Sequence, residues 1–143
     1  IGDRTAEDIK VTIGSALPGR DKTMHVRGRD LVTGLPATIE LSSNDIYTSL
    51  EEPIRAIVEA IKRVLEITPP ELAADIVNNG MMLTGGGSLL DGMVQLIQEE
   101  TQVPVQLAED PLTCVARGTG EVLEKLDELT KRAALTSLRV MSR

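Results

Sequence analysis

The sequence contains no phenylalanine and no tryptophan, and Tyr47 is its only aromatic residue. Binding that stacks successive nucleobases on aromatic rings is thereby excluded. The core has to be built from Leu, Ile, Val, Met and Ala. Cysteine and histidine are as scarce, with Cys114 and His25 each alone. No intramolecular disulfide can form and no Cys/His metal cluster can be assembled. A lone thiol is consistent with a reducing compartment. Positive charge is in deficit: 15 basic residues stand against 22 acidic ones, for a formal net charge of -7. That balance argues against nucleic acid as a partner. No apolar run reaches the length of a membrane span, and no signal peptide is visible.

What is present fits 143 residues arranged as one domain or two small lobes. A chain of this length can bury roughly two thirds of its unfolded surface. The opening Ile1-Gly2-Asp3-Arg4-Thr5 lacks an initiator methionine, and the chain reads as a piece cut from a longer protein.

The most informative stretch runs from Asn79 to Gly92. Met81, Met82 and Leu83 form a short uncharged apolar run, suited to a strand buried on both faces. Thr84 and the glycines Gly85, Gly86 and Gly87 follow, and then Leu89, Leu90, Met93, Val94 and Ile97 fall at helical spacing. The unit reads as strand, glycine turn and helix, with Ser88 as the cap of that helix. Glycines let another molecule approach the backbone, and free amides attract a polar ligand. Neither standard phosphate motif fits. A dinucleotide fingerprint needs glycine where Leu90 stands, and a phosphate loop spanning Gly87 to Gly92 needs lysine where Met93 stands. A tight turn with no ligand is the plain alternative.

Around this unit the chain predicts alternating elements. Arg4 to Ile13 reads as a helix capped by Asp3 or Thr5, with Ala6, Ile9 and Ile13 on one face, and Gly14 ends it. Glu7 and Lys10 are neighbours on its surface, as a solvated ion pair would be. Thr23 to Asp30 and Ala37 to Leu41 read as a hairpin with a basic side of His25, Arg27 and Arg29. His25 reads as an exposed strand residue. Ser42 to Asp45 starts the longest helix, whose apolar face is Ile46, Leu50, Ile54, Ile57, Val58, Ile61 and Leu65. Glu51 with Arg55, and Glu59 with Arg63, pair on its outer side. Pro53 interrupts that stripe, predicting a kink or restart and a lobe boundary. Leu72 to Val77 is a short helix closed by Gly80. Val103 to Leu107 is a strand around Pro104, suited to an edge or a strand start. Asp110 and Pro111 open a last helix with the stripe Leu112, Val115, Val122, Leu123 and Leu126. Gly118 and Gly120 lie inside it. The tail from Thr130 is basic, with Lys131, Arg132, Arg139 and Arg143.

Five blocks carry a resemblance to a known family. Ile1-Gly-Asp-Arg-Thr-Ala-Glu-Asp-Ile-Lys10 resembles a family helix of the form IGERTAE-x-IK, with Asp3 where the family has Glu. Arg27-Gly-Arg-Asp-Leu-Val-Thr-Gly-Leu-Pro36 resembles its hairpin. Thr68-Pro-Pro-Glu-Leu-Ala-Ala-Asp-Ile76, Leu83-Thr-Gly-Gly-Gly-Ser88 and Ala108-Glu-Asp-Pro-Leu-Thr-Cys-Val-Ala116, the last continued by Gly118-Thr-Gly120, resemble its later blocks. In this order, over nearly the whole chain, they resemble the MreB-type bacterial actins that set rod shape.

The resemblance implies an α/β fold of the actin-like ATPase (ribonuclease H-like) class, with this chain as part of the second lobe. Residues 1–52 would form its small outer subdomain and 53–143 the C-terminal part of its large inner one. It implies ATP with Mg2+ as the cofactor of the parent, with none expected to stay bound to this chain alone. Glu7 and Lys10 would face adenine and ribose, and Gly85, Gly86, Gly87 and Leu90 would lie beside the nucleotide from the opposite wall. The phosphate loops, the residues that position Mg2+ and water, and the membrane-binding element would belong to the part not present. No catalytic residue and no metal ligand is expected here. The implied function is a filament subunit at the inner face of the cell membrane that guides wall synthesis by self-association. The competing readings are a non-catalytic α/β partner-binding module and a sugar-kinase or chaperone-type relative of the same fold.

Overall fold

The computed structural model describes residues 1–126 and residue 130. The basic tail beyond Thr130 lies outside the described residues. Element order is α1 (Asp3–Ile13), β1 (Thr23–Arg29), β2 (Pro36–Ser42), α2 (Ser43–Ile67), α3 (Pro70–Asn79), β3 (Met81–Leu83), a short 3-10 turn (Gly86–Leu89), α4 (Met93–Thr101), β4 (Val105–Leu107) and α5 (Cys114–Glu124). Among the described residues no helix is long and apolar enough to cross a membrane.

The strands make two separate pairs. β1 and β2 are antiparallel from Thr23↔Ser42 to Arg29↔Pro36. The connecting turn is fixed by Asp30, whose carboxylate accepts from the amides of Val32 (2.7 Å) and Thr33 (3.2 Å). These bonds favour the ionised form and lower the Asp30 pKa. β3 and β4 are parallel, with Met81 opposite Val105 and Leu83 opposite Leu107. The 3-10 turn and α4 form the crossover that a parallel pair requires.

Two apolar clusters hold the elements together. In the first, Ile9 and Ile13 of α1 pack on Val26 of β1, with Met24, Leu41 and Ile46 around them. In the second, Ile54 and Val58 of α2 pack on Met93 and Ile97 of α4, Val105 of β4 and Ala16. Burying a side chain such as Ile97 contributes about 1.5–3 kcal/mol before entropy is counted.

α2 serves both clusters and continues without a break through Pro53. The restart expected at that proline does not occur. Pro53 and Ser49 are both exposed, so the Ser49 carbonyl that loses its amide partner is solvated. Ile46, Leu50, Ile54 and Val58 anchor the helix to the two clusters. Its start follows expectation: Ser42 and Asp45 form a reciprocal capping box. Those bonds lower the Asp45 pKa. Ile57 is the exception in the expected stripe and faces solvent.

Other expectations also need correction. α1 is capped by Gly2 with no side-chain bond, so neither Asp3 nor Thr5 caps it. Ala6 is exposed. The pairs Glu51–Arg55 and Glu59–Arg63 are not among the ion pairs of the described residues. Pro104 precedes β4, where its missing amide costs no ladder bond. α5 starts at Cys114, because residues 108–113 instead form a loop in which the Thr113 hydroxyl donates to Asp110 (2.6 Å). The strand Met81–Leu83 is not buried on both faces, since Met82 is 59% exposed.

Candidate functional site

The site is built from the C-terminal end of β3 outward. Gly80 sits at φ 81°, ψ -173°, a region that L side chains rarely adopt. A Cβ there would lie 2.6 Å from the Pro104 carbonyl oxygen. The bare backbone lets the Met81 amide donate to that carbonyl at 2.8 Å, which sets the β3–β4 register. At the other end of β3, the Ala108 amide donates to the Leu83 carbonyl at 3.0 Å.

The chain then leaves the sheet at the glycines. Gly85 has φ 82° and donates its amide to the Pro111 carbonyl at 2.7 Å. Gly86 and Gly87 open the 3-10 turn. A Cβ at Gly85 or Gly87 would meet nothing within 4 Å, whereas one at Gly86 would meet Leu112 Cδ2 at 3.3 Å. Ser88 is buried and does not cap a following helix. Its hydroxyl donates back to the Gly85 carbonyl at 2.6 Å, closing the turn on itself. α4 begins only at Met93, after Gly92 in the left-handed region.

Leu90 connects this turn to α1. It is half-buried, and its Cδ1 lies 3.2 Å from the position a Cβ on Gly14 would take. Gly14 in turn ends α1, donating its amide to the Lys10 carbonyl at 2.9 Å. Lys10 and Glu7 lie toward solvent and form an ion pair at 2.6 Å, with the two side chains 42% and 61% exposed. Leu90 is thus brought against the end of α1. Lys10 and Glu7 are about one and two turns back along α1 from Gly14. Among the described residues they make no hydrogen bond to Gly85, Gly86, Gly87 or Leu90.

One cluster was invisible in the sequence. The Asp91 carbonyl accepts from the Ala16 amide (2.7 Å) and the Ser15 hydroxyl (3.3 Å), and Ser15 and Asp91 form a parallel bridge. The Asp91 carboxylate accepts from Arg20 Nη2 (3.4 Å) and Lys22 Nζ (3.5 Å). Arg20 Nε lies 3.2 Å from Asp91 Oδ2 but off the hydrogen-bonding direction, so that contact is electrostatic only. These partners are about 70 residues apart along the chain, and no local spacing signals them.

Two grooves flank the elements. One, of about 500 Å³, runs from Arg20 past Leu90 and Asp91 to Gln98 and Leu107. The other, of about 310 Å³, lies between α2 and α4, over Ile54, Val58 and Leu96. Of the six residues expected at a ligand, only Leu90 lines either groove. Among the described residues no three His, Cys, Asp or Glu side chains gather where a metal ion could sit.

Comparison with known proteins gives one consistent result. Residues 1–131 match the family model described as MreB/Mbl protein. The chain is 54% identical over 134 residues to the cell shape-determining protein Mbl of Bacillus cereus, covering 93% of this chain and 40% of that protein. It is 54% identical over 128 residues to the cell shape-determining protein MreB of Escherichia coli K12, covering 89% and 37%. Its fold superposes on MreB5 of Spiroplasma citri bound to ADP with a TM-score of 0.85 at 36% identity, covering 92% of this chain and 40% of that one. The chain therefore spans about two fifths of the length of these relatives. With a family model matching residues 1–131 and a fold that superposes over nine tenths of its residues, the chain belongs to the MreB/Mbl family and has the actin-like fold of its members.

Proposed function

We propose that this chain is the C-terminal part of an ATP-binding bacterial actin, contributing the adenosine-facing half of a nucleotide cleft. The observation that carries this reading is the open space over Gly85 and Gly87, just beyond the carboxyl end of a parallel strand. Ligands of α/β folds bind at the carboxyl ends of the strands, where helix and loop termini present their backbones. The nucleotide in related structures supports it: MreB5 of Spiroplasma citri is described bound to ADP and to AMPPNP.

In this reading the glycine turn leaves a flat, unobstructed surface for the adenosine. Leu90 supplies the apolar contact beside it, and Glu7 with Lys10 hydrogen-bonds its polar edge. The phosphates and Mg2+ are, in this reading, held by the other lobe of the full-length protein. The bound nucleotide triphosphate supplies the hydrolysable bond. The residues of this chain orient the base and sugar. Residues 1–52 form the small outer subdomain and 53–143 part of the large inner one, with Ala16 and the Asp91 contacts joining them. The full-length protein assembles into filaments at the inner face of the cell membrane. Any membrane contact lies in the other lobe, and the partners are the cell-shape and wall-synthesis machinery.

Titration of full-length protein with a fluorescent ATP analogue tests the site. Gly87→Leu, where an added Cβ meets nothing within 4 Å, should weaken binding at least tenfold with little change in melting temperature. Gly86→Leu should also weaken binding, with a small stability loss from the Leu112 contact. Equal affinities would remove the glycine turn from the site. Residues 1–143 alone should show no ATP hydrolysis and only feeble binding, because positioning and electrostatic stabilisation of the phosphates need the second lobe. Micromolar binding or turnover in calorimetry and phosphate-release assays would sink that expectation.

A further inference from the structure

We infer that Asp91 is a positioning residue that sets where α1 stands relative to the glycine turn, through its ion cluster with Arg20 and Lys22. This inference rests on the nucleotide site proposed above, because its consequence is read in nucleotide affinity. Asp91 directly follows Leu90, the residue that touches the end of α1. Its backbone carbonyl receives two donors from the segment after α1, Ser15 and Ala16. Its carboxylate receives two cations from the loop that leads into β1, Arg20 and Lys22. One residue therefore ties both ends of the α1–β1 connection to the stretch between the glycine turn and α4.

The backbone and side-chain parts of this tie do different work. The carbonyl bonds involve buried Ser15 and Ala16 and persist whatever side chain stands at 91. The carboxylate is about one third exposed, so its attraction is partly screened and salt-sensitive. Without it, Arg20 and Lys22 lose the carboxylate they share, and the loop is no longer held against Asp91. The loop leads into β1, and α1 packs on Val26 of that strand through Ile9 and Ile13, so hairpin and α1 turn together about the Ser15–Ala16 anchor and carry Glu7 and Lys10 relative to Gly85 and Gly87. The tie thus acts on the spacing of the two walls without touching the ligand.

The test uses full-length protein with spin labels at Thr38→Cys on β2 and Glu99→Cys on α4, both exposed, in a background with the other cysteines replaced. Asp91→Arg, Asp91→Asn and the charge swap Arg20→Asp with Asp91→Arg are compared with wild type. Expected is a longer, broader label distance in Asp91→Arg, a smaller shift in Asp91→Asn, and recovery in the swap. ADP affinity at low salt should fall about fivefold in Asp91→Arg and recover in the swap, and the difference should shrink at high salt. An unchanged label distance in both single variants overturns the inference. So does a loss of affinity that the swap fails to recover while the melting temperature is unchanged. If wild type binds no nucleotide, the site reading fails, and the distance measurement still decides the role of Asp91. Asp91→Asn covers the case in which Asp91→Arg fails to fold.

Discussion

The α1–hairpin unit and the β3–α5 region solve the same problem differently. In the first, one helix and two seven-residue antiparallel strands close a small core with only Ile46 at the start of α2 added, and Ile13 is 2% exposed. In the second, two three-residue parallel strands and α4 share their core with α2 and Ala16. Even so, α5 buries none of its residues, with Val115 75% and Leu123 70% exposed. The reason lies in the strands. An antiparallel hairpin needs cover on one face only, and α1 provides it. A parallel sheet is stable when covered on both faces, and α4 covers one. An apolar stripe in a sequence therefore announces a burial requirement without saying which segment meets it.

The largest effects should come from the two cores. Ile97→Ala in α4 and Ile13→Ala in α1 should each cost about 2–5 kcal/mol in urea denaturation, as buried isoleucine truncations do. If the units are one cooperative body, both variants shift a single transition. Two separate transitions, one per variant, would sharpen the contrast into two independently melting units. Gly80→Ala comes next, at about 2–3 kcal/mol, because both its φ and the Pro104 carbonyl oppose a methyl group. It should loosen the β3–β4 pair and leave hairpin amides protected in hydrogen exchange. Equal loss of protection in both regions would break the comparison.

A smaller effect belongs to the junction. Ser42→Ala removes one half of the capping box where β2 passes into α2, and should cost about 1 kcal/mol in thermal melting. The acid response follows from Asp30 and Asp45, both with pKa values lowered by the bonds they accept. A lowered folded pKa means that the stabilisation is complete above the ordinary carboxylate value of 3.8 and is lost as pH falls through the lowered values. Acid should therefore loosen the hairpin turn and the start of α2 first. Asp45→Asn should flatten that response at the helix start, as followed by NMR of the Ser42 and Asp45 amides. The smallest effect is expected for Leu123→Ala in α5, below about 0.5 kcal/mol in this chain because the residue is already in water. A loss of 2 kcal/mol there would mean that α5 is covered after all.

Local features were legible along the chain. Hairpin and helix start each depend on residues within about four positions, so the two strands and the start of α2 at Ser42 to Asp45 could be foreseen, while the bonds of Asp30 to its turn amides were not. The glycine triplet announced a turn of unusual freedom, and the openness above Gly85 and Gly87 agrees with that reading. The helix after it was misplaced by several residues. Periodicity marks an apolar face, but the Ser88 hydroxyl turns back to Gly85 and delays the helix to Met93.

By itself, the sequence determined the α/β alternation, the hairpin to within a residue at each end, the start of α2 and the glycine turn after β3, because each follows from short-range sterics and hydrogen bonding. Tertiary structure decided the rest. It carried α2 unbroken past Pro53, because apolar contacts on one side outweigh a single lost amide bond on the solvated side. It chose Ile54 and Val58 over Ile57 for the core. It also placed Asp91 against Ser15, Arg20 and Lys22, a meeting of segments about 70 residues apart that no pattern of neighbours in the chain encodes.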